Sequence, residues 1–247
     1  MKKNSENSEW FEDWFDSPYY HILYKNRDDK EAKDFISNLI NYLKPETNNI
    51  LLDVACGKGR HSLFLNQLGF TVDGFDLSEN SINIAKKYEN KKLNFYTNDI
   101  RTPLKIDHYN LAFNLFTSFG YFNDENDNQQ AINAIAQSLK EKGMLILDFM
   151  NCNKVIQNLT KKESKMIDSI RFNIKKDYIN GYIVKNIDFN TANKSYHFQE
   201  KVKAISLTDF KNYFEKANLK MEAIFGDYDL NSFDVNTSDR LIMIVKK

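Results

Sequence analysis

Apolar residues follow two rhythms along the chain, and the change from one to the other divides it. Near the start, Ile36, Leu39, Ile40 and Leu43 recur at helical spacing within SPYYHILYKNRDDKEAKDFISNLINYLK. That spacing predicts one or two helices, ended by Pro45. From Asn49 to Met150, short apolar runs alternate with helical patterns. NILLDVA, TVDGFDL, LNFYTND, YNLAFNLFTS and MLILDFM read as five strands. GRHSLFLNQLG, SENSINIAKKYE with Ser78 as N-cap, and DNQQAINAIAQSLKEKG read as the helices between them, the last ending at its glycine. Short apolar strands separated by helices call for a mostly parallel sheet covered on both faces.

Past Asn151 the period shortens to two. RFNIKKDYINGYIVKNIDFN and KSYHFQEKVKAIS, broken by Asn-Gly and Thr-Ala-Asn turns, predict antiparallel strands. SLTDFKNYFEKANL returns to helix, and KMEAIFGDY and RLIMIVKK add two late strands. The expected architecture is α/β, with an antiparallel insertion between the fifth strand and the last helix. Its parts are a helical cap segment at 1–45, a core at 46–165, the insertion at 166–207, and a helix and two strands at 208–247 that complete the core. The insertion is expected over the carboxyl edge of the sheet, facing the tyrosine-rich N-terminal segment across an enclosed pocket. A packing ornament or a dimer surface is the alternative.

Composition narrows the class. With 42% hydrophobic and 14% aromatic residues the chain can bury a substantial core. Its 34 basic and 34 acidic side chains cancel, so nothing favours non-specific nucleic-acid binding. Cys56 and Cys152 form neither a zinc motif nor a redox pair. The first twenty residues lack an apolar signal-peptide core, and no run reaches a membrane span, so a cytoplasmic location is expected. Monomer and homodimer are both left open.

The most informative stretch is LLDVACGKGRHS, Leu51 to Ser62. Gly57 and Gly59 allow a tight turn and close approach of a ligand. A P-loop would need GxxxxGK followed by Ser or Thr, and a dinucleotide fingerprint a third glycine where Ser62 stands. Asp53, just before the turn, would repel a pyrophosphate but could organise the loop or bind an ammonium group. Asp76 ends the second strand, where a ribose diol can be received. Asp99 ends the third and can accept from an exocyclic amine, while the Ile100 backbone pairs with a ring nitrogen. A single such Asp could simply cap a turn; three in succession suggest one continuous ligand.

These motifs resemble those of class I S-adenosylmethionine-dependent methyltransferases. LLDVACGKG resembles the family's first motif, VDGFDLS its acidic second-strand motif, and TNDI the segment beside adenine. The resemblance spans about Asn49 to Lys247 and is strongest to bacterial small-molecule members. It implies a Rossmann-like seven-stranded, mostly parallel sheet with helices on both faces, the late strands forming a reversed hairpin. It also implies S-adenosyl-L-methionine as cofactor. Asp53, Gly57 and Gly59 would then surround the methionine part, Asp76 hold the ribose hydroxyls, and Asp99 with Ile100 the adenine, with Ala55 and Leu77 also among the cofactor-binding residues. Arg60 and His61 depart from the small residue common after the second glycine. The family's N-terminal helix closes over the cofactor; here Arg27 is expected on its carboxylate, with Tyr20 and Tyr24 closing the pocket.

Methyl transfer from a sulfonium needs mainly in-line placement, so a general base is optional and no catalytic residue stands out. Asn114 could bridge cofactor and acceptor, and Phe119, Tyr121 and Phe122 could form a desolvated wall. His21 is a further acceptor-side candidate. Arg171 and Arg240 could anchor an acidic acceptor or pair with a protein carboxylate. Asn-Leu-Phe-Thr replaces the Asn/Asp-Pro-Pro-aromatic motif of exocyclic base methyltransferases, and no metal motif is present. The leading expectation is methyl transfer to an O, N or S nucleophile of a small metabolite. An RNA or protein methyltransferase is the alternative, followed by a nicotinamide-dependent oxidoreductase and a non-catalytic cofactor-binding protein.

Overall fold

The computed structural model describes residues 14–15, 17–24, 29–192 and 194–247. The chain divides into two compact units. The larger comprises Asp28–Val155 and Ile205–Lys247, the smaller Met1–Arg27 and Ile156–Ala204.

In the larger unit, helix α2 (Asp29–Leu43) precedes five parallel strands: β1 (Ile50–Val54), β2 (Thr71–Asp76), β3 (Leu93–Thr97), β4 (Tyr109–Asn114) and β5 (Leu139–Met150). Helices α3 (Arg60–Gln67), α4 (Glu79–Ala85) and α5 (Glu125–Ser138) connect them. After the smaller unit's strands come α7 (Leu207–Lys216), β10 (Lys220–Phe225) and β11 (Arg240–Lys246). The sheet order is β10-β11-β5-β4-β1-β2-β3, with β11 antiparallel to β5 and β10 antiparallel to β11. The expected seven-stranded sheet with its reversed terminal hairpin is present.

Alternation along the strands explains the two helical layers. Leu51, Phe113, Ile146 and Ile242 join Phe35, Leu39, Leu65 and Ile82 in one buried cluster. On β5, Phe149 is also fully buried and packs its ring against Phe210 of α7, 5.2 Å away. A sheet covered on both sides needs no polar face, and β11, RLIMIVK, has none in its interior.

One boundary differs from the sequence reading. Helix α5 stops at Ser138, and Leu139 is already extended and paired with Tyr109. The polar Lys-Glu-Lys stretch reads as helix locally, but Lys142 takes a left-handed turn (φ 64°) into the rest of β5. Pairing along β4 outweighs local helix propensity there.

The smaller unit is a four-stranded antiparallel meander, β6 (Lys162–Ile167), β7 (Ile170–Ile179), β8 (Tyr182–Asn190) and β9 (Ser195–Lys203). It therefore starts at Lys162, ahead of the expected 166. The β7–β8 turn is the anticipated Asn180-Gly181, both residues left-handed as a two-residue hairpin requires. The β6–β7 turn, Asp168-Ser169, has the same geometry without a glycine (φ 47° and 64°), which is why β6 escaped the sequence reading. Helix α1 (Pro18–Leu23) packs on these strands directly. Trp14 and Leu23 are buried with Phe172, Ile174, Ile187 and Phe189. The N-terminal aromatic segment and the insertion thus form one body, not two pieces facing each other across a pocket. Helix α6 (Cys152–Gln157) runs across the boundary between the units' chain segments. No helix among the described residues is long and apolar enough to cross a membrane.

Candidate functional site

The carboxyl ends of β1 to β4 meet where the strand order reverses, since β1 lies between β2 and β4. Open α/β sheets form a ligand crevice at such a point. The turn leaving β1 is left-handed at Ala55 (φ 58°), Gly57 (φ 56°) and Gly59 (φ 80°). The two glycines do different work. A Cβ on Gly59 would lie 2.6 Å from the Phe95 ring, so this glycine lets the start of α3 pack down onto β3. A Cβ on Gly57 would meet nothing within 4 Å, so here the backbone borders open space.

Acidic side chains organise this turn. Asp53 is 2% exposed, and its Oδ2 accepts the Ser62 hydroxyl at 2.5 Å, tying β1 to the first turn of α3. Burial raises its pKa to about 7, the hydrogen bonds from Ser62 only partly opposing this. Of the two roles the sequence allowed Asp53, organising the loop is the one its contacts display. Asp76 accepts the Gly57 amide on Oδ2 at 2.8 Å and the Ser78 amide on Oδ1 at 2.9 Å, joining the loops after β1 and β2. Leu77, next to it, is exposed.

Asp99 is held by Arg101, which donates Nε to Oδ1 at 3.0 Å and a terminal nitrogen to Oδ2 at 2.6 Å. Burial works against ionisation of Asp99, but the hydrogen bonds and charge of Arg101 prevail and keep its pKa below the usual value. Arg101 also pairs with Asp127 at 3.0 Å and lies over the Phe122 ring at 4.7 Å. Ile100 is half-buried in the same turn. Asn114 is fully buried at the end of β4. Its Nδ2 donates to the carbonyls of Val54 at 3.2 Å and Ser118 at 3.4 Å, which fixes the orientation of the amide. Its Oδ1 meets no donor among the described residues.

The loop after β4 holds residues the sequence did not single out. Phe116 (φ 58°) and Thr117 (φ 61°) are consecutive left-handed residues without a glycine, a conformation costing about 1–3 kcal/mol each. Asp148 of β5, 0% exposed, accepts the Phe116 amide on Oδ2 at 2.8 Å, and its backbone carbonyl accepts the Thr117 amide at 3.1 Å. Arg240 donates Nε to Asp148 Oδ1 at 2.8 Å and a terminal nitrogen to Thr117 Oγ1 at 2.9 Å. Burial pushes the Asp148 pKa up despite the Arg240 charge. Arg240 is therefore committed to a protein carboxylate, the second of the roles open to it in sequence. The Phe116 ring stacks on His61 at 4.9 Å and lies under the Arg60 guanidinium at 5.5 Å. One signal for Asp148 was available: it is the only charge within the apolar run MLILDFM, and a buried carboxylate demands a partner.

The other expected site residues belong to both units. Phe119 is 2% exposed and packs against Phe210 at 5.8 Å, in the core and not on an open wall. The Tyr121 hydroxyl donates to the Thr117 carbonyl at 2.7 Å, bracing the β4 loop. Arg171 is exposed on β7 of the smaller unit. Tyr20, His21 and Tyr24 also belong to that unit. Tyr20 packs edge-on against Trp14 at 5.6 Å and lies 5.4 Å from the His21 ring. Tyr24 donates to Glu200 at 2.7 Å, beside the Trp14 indole nitrogen, which reaches the same carboxylate at 2.7 Å. Lys185 contacts both Glu200 and the Tyr24 hydroxyl. Arg27 lies outside the described residues. Among the described residues no group of three or more His, Cys, Asp or Glu side chains could hold a metal ion.

The chain resembles known proteins in sequence and in fold. A family model described as "Methyltransferase domain" matches residues 45–203. A putative methyltransferase of Bacillus subtilis, YqeM, is 30% identical over 116 residues, covering 46% of this chain and 47% of that protein. A dTDP-3-amino-3,4,6-trideoxy-alpha-D-glucopyranose N,N-dimethyltransferase of Streptomyces venezuelae is 29% identical over 119 residues, 48% of each chain. The match thus spans about half the length of these curated relatives. The crystal structure of an S-adenosylmethionine-dependent methyltransferase from Clostridium acetobutylicum superposes with a TM-score of 0.78 at 20% identity, covering 92% of this chain and 95% of that one. At that identity the likeness is one of fold.

Proposed function

The chain belongs to the methyltransferase-domain family, and from that premise we propose that it transfers a methyl group from S-adenosyl-L-methionine to a small metabolite. The observation that carries the reading is the meeting, in one strand-end crevice, of the open side of Gly57 with the Asp76 carboxylate. The polar groups here suit this cofactor. Asp76 stands where a ribose diol is received, Asp99 and the Ile100 backbone suit an adenine edge, and Asn114 Oδ1 is an oriented acceptor in need of a donor.

Bound there, S-adenosyl-L-methionine supplies an electrophilic methyl group whose transfer depends chiefly on alignment. Gly57 leaves room at the turn, Asp53 fixes that turn through Ser62, and Asp76 ties it to the loop after β2. Phe116 and His61 supply an aromatic surface beside it. A metabolite-sized acceptor, its nucleophile O, N or S, is the reading; the relative named for N,N-dimethylation of an amino sugar supports the small-molecule class, so amino sugars are the first acceptors to assay.

Calorimetric titration tests the reading. S-adenosylhomocysteine is expected to bind at least tenfold more tightly than NAD. Asp76→Ala is expected to weaken it about tenfold or more, since a hydrogen bond to a charged group contributes roughly 1.5–3 kcal/mol. Preference for NAD would overturn the proposal.

A further inference from the structure

We propose that Asp148 and Arg240 are positioning residues for the methyl-transfer site, holding the loop after β4 in the left-handed turn that keeps Phe116 stacked on His61. The proposal rests on the methyltransferase reading above. An aromatic residue with positive φ persists only where its surroundings over-determine it, and such strain gathers at functional sites. The surroundings here do over-determine it. Asp148 takes both the Phe116 amide and the Arg240 guanidinium, its carbonyl takes the Thr117 amide, and Arg240 reaches on to Thr117 Oγ1. Tyr121 closes the loop from the other side through the Thr117 carbonyl.

A buried ion pair is a poor device for stability alone, because apolar residues of equal volume commonly serve as well. The Asp148–Arg240 pair does what an apolar pair could not: Asp148 holds the Phe116 amide and Arg240 the Thr117 hydroxyl in an otherwise disfavoured turn. The product of that turn is a connection across the crevice. Phe116 leaves β4, whereas Arg60 and His61 directly follow the glycine turn of β1, and the ring touches both, at 5.5 and 4.9 Å. Tyr228 packs on the Phe116 ring at 5.4 Å and lies under Arg240 at 5.5 Å, so the pair supports the ring from behind as well.

The test uses Arg240→Gln and Arg240→Lys in the full chain, the second keeping the charge in case the first does not fold. The readouts are the ring-proton NMR shifts of His61, titration with S-adenosylhomocysteine, and Tm. In the parent the His61 signals are expected to be displaced by the Phe116 ring current. Both variants are expected to lose that displacement and to bind S-adenosylhomocysteine about tenfold more weakly. Adding Thr117→Gly to Arg240→Gln, which places a residue at ease with positive φ in the loop, is expected to recover most of the affinity without recovering Tm. Unchanged His61 shifts with affinity within twofold of the parent overturn the proposal whatever the Tm, and so does failure of the glycine to rescue. A parent that binds no S-adenosylhomocysteine defeats the cofactor reading instead, and the His61 shifts then decide whether the pair holds the loop.

Discussion

The loops after β1 and β4 leave neighbouring parallel strands at the same edge of the sheet, and both pass through left-handed backbone. They reach it by opposite means. After β1 two of the three left-handed residues are glycines, Gly57 and Gly59 beside Ala55, and the acids that brace the turn, Asp53 and Asp76, stand within twenty residues. After β4 the turn is made by Phe116 and Thr117, and its bracing comes from Asp148 and from Arg240, more than a hundred residues away. A glycine turn is a local property that tolerates change elsewhere. A turn enforced by a distant ion pair can be lost without touching the loop.

The sharpest way to break this contrast is Asp148→Ala. It leaves the half-buried Arg240 without its carboxylate, and since breaking a fully buried pair costs about 3–5 kcal/mol, a loss toward the lower end of that range is expected by chemical denaturation. No substitution after β1 is expected to cost as much by loss of an ion pair.

The next effect is pH-dependent and belongs to the β1 loop. The Asp53 pKa is raised to about 7, so the folded chain holds this proton through a range where the unfolded chain has lost it. Its contribution to stability is fully present below about pH 4, is lost as pH rises toward 7, and is constant above that. Asp53→Asn keeps an acceptor for Ser62 and removes the titration. The variant is therefore expected to gain on the parent between pH 4 and 7, by an amount on the order of 4 kcal/mol at most. Parallel Tm profiles for the two proteins would refute the assignment.

The two glycines then separate packing from binding. Gly59→Ala must displace the Phe95 ring and is expected to cost roughly 1–3 kcal/mol, measured by Tm or denaturant midpoint. Gly57→Ala meets open space and bears only the left-handed backbone penalty, about 1 kcal/mol. It nevertheless is expected to weaken S-adenosylhomocysteine binding more than Gly59→Ala does, because the space beside Gly57 is unfilled and that beside Gly59 is taken by Phe95. Equal binding losses would remove the distinction between the two positions.

The same contrast governs what could be read without the structure. The placing of Asp53, Gly57, Asp76 and Asp99 at the strand ends was legible because strand ends, glycines and acids lie close in sequence and follow the α/β rhythm. Phe119 and Arg240 were legible as candidates but not in role. An aromatic after a strand can face a crevice or the core, and Phe119 turns to Phe210. An arginine can meet a ligand or a carboxylate, and Arg240 meets Asp148. Strand β6 was hidden because its turn, Asp168-Ser169, lacks the glycine that marks Asn180-Gly181.

Period, capping and turn chemistry act over a few residues, and they specified the strands, their helical cover and the glycine-acid edge; the reversed final hairpin was implied only by the resemblance of the motifs to a family. Tertiary structure alone decided that the N-terminal aromatics pack on the inserted strands, that Tyr24 binds Glu200, and that Asp148 with Arg240 shapes the loop bearing Phe116. Each of these joins side chains distant in sequence, where burial strips water from polar groups and leaves them whichever partner the fold brings within hydrogen-bond reach.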